Sequence, residues 1–110
     1  MLSKKDLITI NMEFHNGKVV NAGSLDYTID YIRRSNNWLK SAAFLARAIL
    51  IDHIFEDGNK RTAAAVMMTY MEMNSIHFNP DRVSKLILQV IIKNITDIRK
   101  IERLIKNVIE

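Results

Sequence analysis

The segment from Trp38 to Ile51 constrains this chain more than any other, because its apolar residues leave almost no polar face. Trp38, Leu39, Ala42, Ala43, Leu45, Ala46, Ile49 and Leu50 surround most of a helical wheel. A helix that is apolar nearly all round has to be covered by its neighbours, so this one is predicted to be central. A second segment, Thr62 to Met73, carries Ala63, Ala64 and Ala65, slim enough for close approach, and continues a buried side through Val66, Met67, Tyr70 and Met71. Together they predict a core pair of helices joined by a short connection.

The remaining segments supply the cover. Ser3-Lys4-Lys5-Asp6 has the form of a capping box and leads into Leu7, Ile10 and Phe14 at helical spacing, a first helix that stops by Gly17. Gly17 to Gly23 reads as an extended arm bent by its glycines, an exposed hairpin. Ser24 is the predicted cap of a second helix that runs to about Arg34, with Leu25, Ile29 and Ile32 on one face and Asp26 in its first turn. After the connection Asn74 to Phe78, Asn79-Pro80-Asp81 opens a helix in the preferred way, Asn as cap and Pro at the first helical position. Its stripe is Val83, Leu86, Ile87, Val90 and Ile91. Beyond a break at Asn94 to Asp97, Ile98, Ile101, Leu104, Ile105 and Val108 predict a last amphipathic helix with basic residues outside. The fold class is all-α with one short hairpin, and 110 residues at 48% apolar composition suffice for a single domain, 1–110.

Composition narrows the function classes. No cysteine is present, which removes disulfides, thiolate nucleophiles and thiolate metal sites together and suits a reducing, cytoplasmic setting. No stretch approaches the roughly 20 apolar residues of a membrane span, and the N-terminus has no signal-peptide pattern. Sixteen Lys and Arg against twelve Asp and Glu give a net charge of +4. That balance favours anionic ligands, but it is also what keeps small domains soluble.

The chemistry is concentrated between the two core helices. His53-Ile54-Phe55-Glu56-Asp57-Gly58-Asn59-Lys60-Arg61 puts imidazole, carboxylate, amide, ammonium and guanidinium into nine consecutive positions. The first turn of a helix leaves backbone N–H groups unpaired at the positive end of its dipole, so Gly58-Asn59-Lys60 at a helix start is an anion site. Lys60 and Arg61 reinforce it, and the Asn59 amide can donate to a phosphate oxygen. Asp57 offers the hard oxygen that Mg²⁺ prefers, in the common arrangement of one carboxylate plus substrate phosphates. An imidazole titrates near neutrality, which makes His53 a candidate general base toward an attacking hydroxyl. Phe55 is the expected anchor that fixes the loop from inside, and Glu56 is expected to be solvated. His15 and His77 have no partner at metal-ligand spacing and are read as structural or surface residues, and Trp38 and Tyr70 as packing.

The stretch HIFEDGNKR resembles the signature of the Fic/Doc family, His-x-Phe-x-Asp/Glu-Gly/Ala-Asn-Gly/Lys-Arg, at every specified position. The resemblance implies a compact helical Fic-type fold with a short flap and a nucleotide-dependent transferase that modifies a protein hydroxyl. It implies ATP as substrate and Mg²⁺ as cofactor. His53 would be the general base, Phe55 the anchor, Asp57 the magnesium ligand, Gly58, Asn59 and Lys60 the phosphate nest, and Arg61 a further phosphate contact. The arm, through Lys18, Val19, Val20, Asn21 and Ala22, would be the flap that pairs with the target's backbone. AMP-transferring members usually have Gly before the motif's Arg and a second Arg three residues later, where this chain has Lys60 and Ala64. In that respect it looks like the Doc toxins, which transfer the terminal phosphate, although Gly58 departs from their usual alanine.

Many members also carry an inhibitory segment Ser/Thr-x-x-x-Glu-Gly/Asn. Thr9 to Glu13 matches part of it, but Phe14 follows and no second Arg exists for the Glu to engage. Restraint would then come from a small antitoxin. Two rival expectations are AMP transfer by the same site and, from another class, a basic helical nucleic-acid-binding module resting on the positive C-terminal helix. The second gives His53, Phe55 and Asp57 no joint role.

Overall fold

The computed structural model describes all 110 residues, as six helices: α1 (Lys4–Met12), α2 (Ala22–Ile32), α3 (Trp38–Leu50), α4 (Asn59–Met73), α5 (Pro80–Ile92) and α6 (Ile98–Lys106). The all-α expectation holds. α3 is the centre, packed against α2, α4, α5 and α6. Ala42, Ala43, Leu45, Ala46 and Ile49 are wholly buried on it, and their small Cβ groups let neighbouring backbones approach while Leu45 and Ile49 fill the gaps. Each fully buried Leu or Ile contributes about 1.5–3 kcal/mol relative to an exposed one, so a helix covered on every side is what holds the others in place. All six helices share one buried apolar cluster.

Helix starts follow sequence chemistry closely. Ser3 Oγ accepts from the Asp6 N–H at 3.1 Å and the Asp6 carboxylate accepts from the Ser3 N–H at 2.8 Å, closing the capping box. That donated N–H is the largest cause holding the Asp6 carboxyl below its ordinary value. Asn79 caps α5 as predicted, with Pro80 at the first position.

Two expectations are corrected. Asn21, not Ser24, caps α2; its side chain accepts from the Ser24 N–H at 3.2 Å, so the helix starts at Ala22 and Asp26 lies beyond the first turn, paired instead with Lys4 at 2.9 Å. Ser24 lies inside the first turn instead, where its Oγ donates to the Asp52 carboxylate at 2.7 Å. The arm after Gly17 does not fold on itself as a hairpin. It runs beside the connection between α3 and α4 and makes one antiparallel bridge, Val19 to Phe55. With Ala22 and Gly23 drawn into α2, too few residues remain for a second strand.

Candidate active site

α3 ends at Leu50, and the chain then leaves the helix axis abruptly, with His53 at φ +50°. A left-handed backbone at a residue with a side chain is a strained conformation that the surroundings must hold. From there the loop alternates: His53 is exposed, Ile54 and Phe55 are buried, Glu56 and Asp57 are exposed. Phe55, 1% exposed, is the anchor the sequence predicted. Burying its ring turns the flanking polar residues outward.

Amides from three parts of the fold hold this loop. Asn59 closes on Phe55 from both sides, its Oδ1 accepting the Phe55 N–H at 3.1 Å and its Nδ2 donating to the Phe55 carbonyl at 2.9 Å. Asn21 Nδ2 donates to the Asp52 carbonyl at 2.9 Å, and Ser24 Oγ donates to the Asp52 carboxylate at 2.7 Å. Asn11 Nδ2 donates to the Asp57 carbonyl at 3.0 Å. The Asn59 amide, expected to face a phosphate, therefore serves the loop first, and its backbone N–H is its clearest remaining offer to an anion.

Gly58 sits at φ +76° and caps α4 without a side-chain hydrogen bond. A Cβ there would come within 3.3 Å of Asn11 Nδ2 and 3.4 Å of the Phe14 Cβ, so both the backbone angle and the space favour glycine. The N–H groups of Asn59, Lys60 and Arg61 have no acceptor in the protein. They open, together with His53, Asp57 and the Lys60 and Arg61 side chains, onto a cavity of about 590 Å³ walled by Phe14 and Ile91. Unpaired donors at a helix start beside two cations make a positive, concave site for an anion.

Asp57 lines the same cavity. One of its oxygens accepts the Gly58 N–H at 2.7 Å and the other has no partner in the protein. No group of three or more His, Asp or Glu side chains could enclose a metal ion. The donor set therefore fits a hard divalent cation held by one carboxylate and completed by ligand phosphates. It does not fit a fully protein-enclosed metal.

Glu56 and His15 are both exposed, as read from the sequence, and each also gains a partner. Glu56 is not simply solvated: its carboxylate accepts from Asn16 Nδ2 at 3.1 Å and meets His15 Nε2 at 3.2 Å. The Asn16 hydrogen bond, then His15, hold its carboxyl below the ordinary 4.5. His15 gains an acid partner from 41 residues away. His77 stays on the surface and Tyr70 is buried packing, its hydroxyl accepting the Leu2 N–H at 3.3 Å.

The arm residues lie along the loop. Val20 and Asn21 donate to the Ile54 carbonyl at 2.8 and 3.2 Å, and Glu56 donates to the Lys18 carbonyl at 3.0 Å. This pattern leaves the N–H and C=O of Val19 without a partner, on the side away from the loop. Lys18 and Val20 are exposed, and Ala22 belongs to the first turn of α2.

Sequence reasoning missed Asn11. It follows the buried Leu7 by four positions and so falls on the inner face of α1, where a polar side chain must find partners. That was a readable signal. The family profile described as "Fic/DOC family" matches residues 5–71, from α1 through most of α4. No curated protein matches the chain.

Proposed function

The chain belongs to the Fic/DOC family, a family of protein-modifying transferases, and from that premise we propose that it transfers the terminal phosphate of ATP to a hydroxyl of a target protein. The observation that carries this reading is convergence: a base, a carboxylate, two cations and unpaired helix-start N–H groups all face one cavity. The β- and γ-phosphates sit at the start of α4, held by the N–H groups of Asn59 to Arg61 and by Lys60 and Arg61. Asp57 would hold Mg²⁺, which when bound would neutralise phosphate charge. His53 takes the proton of the target hydroxyl, the hydroxyl oxygen forms a bond to the γ-phosphorus, and the bond to the β–γ bridging oxygen breaks to release ADP.

The unpartnered backbone of Val19 supports a role for the arm as a flap, since an extended target segment could add to that edge by backbone hydrogen bonds. Lys60 favours phosphate over AMP transfer, because a side chain stands where glycine would leave room for the other nucleotide orientation. A cytoplasmic toxin restrained by a small antitoxin is the setting we propose for such an activity. Incubation of a lysate with ATP labelled at the α or the γ position tests the reaction. Label incorporated from γ alone is expected, and label from α alone would replace this reading by AMP transfer.

A further inference from the structure

Asn11 is wholly buried, and each of its side-chain polar atoms is used. Nδ2 donates to the Asp57 carbonyl and to Thr62 Oγ1, both at 3.0 Å, while Oδ1 accepts the Gly17 N–H at 2.9 Å. One amide thus touches the end of the loop, the first turn of α4 and the base of the arm. No other side chain here joins all three.

Its contact with the Asp57 carbonyl bears directly on the anion site. In a trans peptide the C=O and the following N–H point in opposite directions. With the carbonyl drawn inward to Asn11, the Gly58 N–H points outward, toward the Asp57 carboxylate and the cavity. Glycine tolerates either orientation of the peptide before it, so nothing in Gly58 itself selects this one. A flipped peptide would aim a carbonyl oxygen at the phosphate and leave one of the two Asn11 amide hydrogens unpaired in the interior, the other still donating to Thr62 Oγ1, and an unmet buried donor is costly.

We infer that Asn11 is a positioning residue that locks the Asp57–Gly58 peptide with its N–H outward and, through Gly17, couples the arm to the nucleotide site. The inference rests on the phosphate reading of that site. Its consequence is reciprocal: a target segment seated on the arm tightens nucleotide binding, and nucleotide steadies the arm.

Titration of the wild-type protein with a non-hydrolysable ATP analogue and Mg²⁺, followed by amide NMR, is the first test. Gly58 and Lys60 should shift together with the Asn11 side-chain amide and the Gly17 N–H. Shifts at Gly58 and Lys60 with Asn11 and Gly17 unmoved would overturn the coupling and leave the transferase reading standing. No shift anywhere around the cavity would overturn the transferase reading, and this inference with it. In kinetics, Asn11→Ala should raise the KM for nucleotide about tenfold, the loss expected for one buried hydrogen bond, with kcat changed less than about threefold. Val83→Ala, a core truncation on α5 remote from the loop, serves as the stability control. A matching rise in KM in that variant would show that Asn11 acts only through stability.

Discussion

The connections that lead into α4 and α5 each hang on a phenylalanine, Phe55 and Phe78, whose backbone makes a single antiparallel bridge, to Val19 in one case and to Ile109 in the other. Beyond that shared device they diverge. Into α5, Asn79 turns its side chain on the helix and accepts from Asp81 and Arg82, at 2.9 and 3.4 Å. Into α4, the cap is a glycine, and the asparagine beside it grips the loop rather than the helix start. Every other helix in the molecule has a side-chain cap. A glycine in place of a capping side chain costs only about a few tenths of a kcal/mol, and α4 has that glycine where its open donors lie beside Lys60, Arg61 and Asp57. One connection satisfies its helix internally; the other leaves the first N–H groups of its helix open on a cavity.

The sharpest way to break that contrast is to remove the chemistry without touching the scaffold. His53→Ala should lower transfer by about 10²–10⁴-fold, the range for a general base, and leave the melting temperature close to wild type because the ring is exposed. Persisting transfer in a discontinuous assay would take the base assignment away from His53. Removing the anchors comes next. Phe55→Ala should destabilise by about 3–5 kcal/mol in urea unfolding, and Phe78→Ala by clearly less, since Phe78 is only half-buried. Equal losses would mean that the two bridges do the same job.

Smaller effects sharpen the comparison. Asn79→Ala removes the cap of α5 and should lower stability by about 1 kcal/mol with nucleotide affinity unchanged, as calorimetry would show. The smallest effect is in acid. The partners of Glu56 lower its carboxyl below 4.5 in the folded protein, so its contribution is fully present above pH 4.5 and lost as the pH falls through the lowered value. Melting curves of Glu56→Gln should therefore lack that part of the acid-side decline, and curves parallel to wild type across that window would show that the contact adds nothing.

What was legible in the sequence was whatever depends on neighbours along the chain. Helical spacing places α1, α3, α4, α5 and α6 within a few residues, and Ser3, Asn79 and Pro80 mark starts because caps act over three residues. The dense motif marked a candidate site whose residues stay together in space, since His53, Asp57, Lys60 and Arg61 fall on one turn-and-helix-start and so line one cavity. Other features required distant segments to meet. Gly17 to Asn21 became an arm beside Phe55 rather than a hairpin because the exposed backbone of the loop offered it a partner.

By itself the sequence determined the helices and the central place of α3, and it named the candidate site residues, because periodicity, capping and side-chain type are local properties. Only the tertiary structure decided which amides hold the loop. Asn11 meets Asp57 across 46 residues and Asn21 meets Asp52 across 31. Hydrogen-bond partners at that separation are chosen by how helices pack, and packing follows the shape of the whole core rather than any stretch of it.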